Sequence, residues 1–130
     1  MTRLSLAFFT TAAAFGVGGM IWGIQMGIAN NLILAPAHSH LDLVGWVTLA
    51  LMGGFYALAG DRAPRRLGWI NYTLSTTGVV VMIPSLAVLL LNGNKANPGV
   101  ILGSILTLLG MVAFLAAVVS LWRAAPPAQA

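Results

Sequence analysis

His38 and His40 are the only histidines in this sequence, and Asp42 is one of only two acids. All three fall in Ala37-His38-Ser39-His40-Leu41-Asp42-Leu43-Val44-Gly45-Trp46, where a long apolar run begins. An ionisable side chain inside a membrane span is costly, so such a cluster reads first as a functional site. On a helix, residues two apart point about 200° away from each other. His38 and His40 therefore cannot both ligate one small ion, and each imidazole serves a different side. His38 and Asp42 are an i, i+4 pair on one face. Asp42 can accept a hydrogen bond from a ring N–H of His38 and fix its orientation, as carboxylates do for metal-bound imidazole. Gln25, near the same end of the preceding span, is either a further donor to that site or a simple interfacial polar residue. The plain rival reading makes both histidines interfacial, solvated and structural. Two histidines with an acid beside them, and no other titratable group on that side, favour a cofactor or metal role.

Composition says where this chemistry takes place. Hydrophobic residues make up 59% of the chain and charged ones 6%, with a mean hydropathy of +0.95. That excludes an ordinary soluble domain. A length of 130 residues allows one domain, 1–130. The net charge of +4 does not indicate nucleic-acid binding, because the arginines sit between apolar runs and form no basic stripe. With no cysteine, disulfides, thiolate metal sites and covalent haem attachment are all excluded. Any haem must be held by histidine ligation and packing alone.

Four spans must position the histidines, at roughly 4–29, 38–60, 67–91 and 99–122. The first is far longer than a signal's apolar core and is expected to be a membrane helix. Gly19, Gly23 and Gly27 recur along it, the spacing of a groove that admits a second helix. Pro36 suits the entry to the second span. Asn71, Thr73, Ser75, Thr76 and Thr77 are short enough to bond back to helix carbonyls and do not by themselves signal a site. Pro84 frees the carbonyl of Val80 and is expected to kink the third span. Asn92 to Pro98 reads as a turn, Gly99 and Gly103 as a small pair, and 124–130 as a short tail. Trp22, Trp46, Trp69 and Trp122 are placed as interfacial anchors. Arg3, Arg62, Arg65, Arg66 and Arg123 share one end, opposite Lys95. The positive-inside rule then puts both termini in the cytoplasm and the histidines towards the outer side.

The stretch His38-Ser39-His40-Leu41-Asp42-Leu43-Val44-Gly45-Trp46 resembles the His-x-His signature of the haem-copper oxidase catalytic subunit. It is closer still to small four-span bacterial relatives of that subunit and to nitric-oxide-response membrane haem proteins, with Asp42 where Asn is usual. The resemblance implies an all-α integral membrane four-helix bundle matching one four-helix arc of the large subunit, in a bacterial inner membrane. It makes His38 and His40 candidate axial ligands of haem b, with Asp42 and Gln25 as candidate supporting residues. A homotrimer would rebuild the three arcs, and a respiratory redox partner is implied. The His-His pair and His-Tyr element of a copper centre are missing, so an oxidoreductase role is implied at most. Electron transfer and diatomic-gas (O2 or NO) binding both remain open. So do a copper or zinc site shared between protomers and a structural or assembly subunit of a respiratory complex. A transporter is disfavoured, for no internal repeat and little polar lining are present.

Overall fold

The computed structural model describes residues 1–93 and 97–124. The turn residues around Lys95 and the tail beyond 124 lie outside the described residues. Four helices account for nearly all of the rest: α1 (Arg3–Ala29), α2 (Ala35–Arg62), α3 (Arg65–Leu91) and α4 (Pro98–Ala124). At 27 or 28 residues each, they reach about 40 Å, more than the hydrocarbon core of roughly 30 Å. Large apolar side chains such as Ile28, Leu51, Leu58 and Leu108 point outward, while glycine, alanine, serine and asparagine are held inside. A multi-pass membrane protein has this distribution, because lipid solvates leucine and small residues let helices meet.

The helix ends follow from local chemistry. Thr2 caps α1 by accepting from the Ser5 amide at 3.2 Å. Asn30 ends it in the left-handed region, its N–H turned back to Met26 and Gly27. Five residues later α2 begins, with Pro36 in its first turn as expected. A bend at Gly60, φ +56°, closes α2 into a single tight turn before Pro64 and α3. The helix α3 continues through Pro84 without interruption.

Two close pairings build the bundle. Helices α3 and α4 meet backbone to backbone: Gly99 faces Ser85, Gly103 faces Met82, Gly78 faces Thr107, and Gly110 faces Ser75. Both members of the Gly99/Gly103 pair thus lie in this seam. Helices α1 and α2 pair through Gly53 against Phe8 and Gly45 against Phe15, among other contacts. A cluster of Leu4, Phe8, Ala12, Leu49, Met52, Tyr56 and Ala117 joins α1, α2 and α4. Val79, Met82 and Ile83 of α3 pack against Phe15, Trp22, Leu41 and Val44.

A polar chain crosses the core towards the arginine end. The Asn71 amide donates to the Tyr56 hydroxyl at 3.1 Å, and Ser75 donates to the Asn71 carbonyl oxygen at 3.0 Å. Thr11 and Tyr72 join α1 to α3 at 2.9 Å. Asn71 therefore bonds across helices, and Ser75 bonds to it rather than back to a carbonyl. Two buried hydroxyls depend on Asn71, so Asn71→Ala should lower stability by about 1–2 kcal/mol. Reversible unfolding in mixed micelles measures this, with exposed Thr77→Ala as the reference.

Candidate functional site

The second span is not a uniform α-helix. It is α-helical from Ala35 to His40, π-helical from Leu41 to Thr48, and α-helical again from Leu49 to Ala59. The wide turns thus start directly after His40 and carry Asp42, Gly45 and Trp46. Valines 44 and 47, Thr48 and Gly45 are weak α-formers, which lowers the resistance to widening. The Thr48 hydroxyl donates to the Leu43 carbonyl five residues back, at 2.7 Å, which satisfies an acceptor within the widened stretch. Such turns concentrate at functional sites in other helices.

His38 lies before this stretch and faces α1. Its Nε2 is 3.4 Å from Asp42 Oδ2, so the expected i, i+4 pair is formed. The side chains keep 23% and 28% of their exposure. What seats them is glycine on α1. A Cβ at Gly23 would stand 3.1 Å from the His38 ring, one at Gly19 would overlap the Asp42 carboxylate, and one at Gly16 would stand 3.0 Å from Trp46. Around Gly27 the space is open. The groove is therefore Gly16, Gly19 and Gly23, one step nearer the start of α1 than the four-residue repeat suggests. Trp22 completes the wall, edge-on to the His38 ring at 6.3 Å between centroids.

Within this seat, His38 Nδ1 and Asp42 Oδ1 are enclosed, with no hydrogen-bond partner among the described residues. Neither nitrogen of His38 faces outward freely: Nε2 is against Asp42 and Nδ1 is shut in. His40 is the opposite case. It is exposed, and its Nδ1 lies 2.8 Å from the Pro36 carbonyl oxygen. A carbonyl only accepts, so in the neutral ring Nδ1 carries the proton and Nε2 keeps a lone pair. That lone pair is on the outer surface of the bundle.

Gln25 is exposed and hydrogen-bonds to neither histidine. It lines a cleft of about 200 Å³ with Trp22, Met26, Asn31, Leu34 and Leu91. The structure thus brings His38 and Asp42 together, turns His40 outward and leaves Gln25 in the cleft beside Trp22. Trp22 and Trp46 also pack at the site. Gly16, Trp22 and the Pro36 carbonyl belong to the site and were not singled out for it from sequence. The available signal was that Gly16, Gly19 and Gly23 follow i, i+3, i+7 spacing, opposite His38, Asp42 and Trp46 at i, i+4, i+8.

Gly19→Ala should push the Asp42 carboxylate off His38. In imidazole ¹⁵N spectra of micellar protein, the His38 resonances are expected to move and those of His40 to stay. Gly27→Ala should change neither. Shifts of both rings, or of neither, would show that α1 does not set the carboxylate.

No group of three His, Asp or Glu side chains converges among the described residues, so a copper or zinc site would need ligands from further copies. Comparison with family models, with curated proteins and with solved structures finds no match to this chain. Fold and site together define a multi-pass α-helical membrane protein with a histidine–carboxylate pair seated on glycines near one end and a second, outward imidazole.

Proposed function

We propose that this protein binds haem b in the membrane, with His40 Nε2 as an axial ligand. The carrying observation is the bond from His40 Nδ1 to the Pro36 carbonyl, which fixes the tautomer and orients the ring with its lone pair outward. The likeness of His38 to Trp46 to haem-ligating helices supports the same reading. The cleft beside Trp22 is smaller than the roughly 300 Å³ at which small-molecule pockets begin. A porphyrin held by His40 would therefore need another copy to enclose it.

The homotrimer reading fits that requirement, since each protomer offers one outward imidazole to a neighbour. His38, held by Asp42 and walled by Gly23 and Trp22, shapes the helix beneath His40 and supports it. Bound haem supplies a one-electron couple when both axial positions are filled, or a place for a diatomic gas when one is open. The arginine end faces the cytoplasm of a bacterial inner membrane in this reading, with the histidines towards the outer side.

The test is the visible spectrum of protein extracted in mild detergent, before and after haem is supplied. A Soret band, with sharp alpha and beta bands on reduction, is expected at a haem stoichiometry that follows the oligomer. A preparation that stays colourless with haem present removes the reading and leaves a structural subunit as the alternative.

A further inference from the structure

At the arginine end, opposite the histidines, a cavity of about 370 Å³ opens between the start of α1, the end of α2 and the start of α3. Arg3, Leu4, Tyr56, Asp61, Arg65 and Trp69 line it. This volume is within the range of small-molecule pockets. Its lining is rich in donors. Among the described residues neither arginine is within ion-pair distance of a carboxylate. Tyr56, completely buried and bonded to Asn71, closes the inner wall. No side chain caps the first amides of α3, and neither α1 nor α3 carries an acid in its first turn. Asp61 is the one carboxylate in the lining.

Two guanidinium forks around one concavity match the oxygens of a phosphate group. The position says how that phosphate is delivered. Trp69, 37% exposed, sits where an indole marks the headgroup level, and Leu58 and Ile70 present apolar surface to the bilayer close by in the chain. Basic pockets between helices at this depth hold anionic lipid headgroups. We propose that the cavity binds the phosphate of an anionic phospholipid, with Arg3 and Arg65 as its ligands. This site is independent of any haem at the other end.

Native mass spectrometry of the intact protein in mild detergent tests it, with phosphatidylglycerol, phosphatidylcholine or inorganic phosphate added. Phosphatidylglycerol should be retained over phosphatidylcholine. Arg3→Gln and Arg65→Gln should each reduce that retention about fivefold. Both side chains are exposed, so neither change cuts into the core. Asp61→Asn should raise retention, and Arg65→Lys, which keeps the charge but not the fork, should fall between parent and Arg65→Gln. Arg123→Gln, which removes a basic residue outside the lining, should change nothing. Equal retention of the two lipids, or an Arg123→Gln effect as large as that of Arg3→Gln, would overturn the site. Displacement of the lipid by millimolar inorganic phosphate would overturn the lipid assignment in favour of a soluble phosphate ligand.

Discussion

Gly103→Leu is expected to force α3 and α4 apart and to produce the largest stability loss of any single substitution in the seam. A Cβ at Gly103 would stand 2.6 Å from the Met82 amide nitrogen and 2.7 Å from its Cα, so the obstacle is backbone. Backbone cannot rotate aside as the end of a side chain can. Gly78 meets the same wall from the other helix, at 2.7 Å from the Thr107 nitrogen. In lipid no hydrophobic force draws the two helices together, so this close approach is itself the source of their association. Inserting methylenes into a packed core costs about 1–3 kcal/mol, and Gly103→Leu should reach the upper end, with Gly103→Ala nearer the lower. Gly18→Leu and Gly27→Leu point into open space and should stay within about 0.5 kcal/mol of the parent. Unfolding by titration of denaturing detergent measures all four. A Gly103→Leu protein as stable as Gly27→Leu would show that the α3–α4 seam does not hold the bundle.

The four spans were legible because lipid imposes a coarse rule: a long apolar run between polar turns has few alternatives to a helix. The His38–Asp42 pair was legible for a similar reason, since four residues on a helix bring two side chains to one face. The glycine repeat on α1 points to the right helix but lies one member out of register. Periodicity fixes which residues share a face, but the register of two helices depends on the bulk opposite. Trp46 needs the space at Gly16, and nothing large comes to Gly27. The cross-helix bond of Asn71 is not visible in the sequence, because its partner, Tyr56, is fifteen residues away on another span. The π-helical stretch after His40 had no pattern to announce it. Weak α-formers permit wide turns, but the packing of Phe15 and Val79 against Gly45 is a tertiary fact.

On the proposed haem reading, His40→Ala should leave the bundle intact and abolish haem binding. The imidazole is exposed and buries no core surface, so the change belongs with substitutions that move stability by less than about 0.5 kcal/mol. Loss of an axial ligand is a different matter. Removing a group that merely orients a ligand weakens metal sites about 10- to 100-fold, so losing the ligand itself should exceed about 100-fold and abolish the Soret band at micromolar haem. Asp42→Asn and His38→Ala should fall in the smaller class, because these residues act on the helix beneath His40 rather than on iron. Their effect is a weakened, shifted spectrum, and His38→Ala also destabilises by emptying the space against Gly23 and Trp22. Free imidazole added to His40→Ala should restore the band, which a misfolded protein would not do. If His40→Ala keeps its colour and His38→Ala loses it, the outward imidazole is not the ligand. The enclosed Nδ1 of His38 would then have to be opened to haem by movement of α1, with Gly23, away from His38.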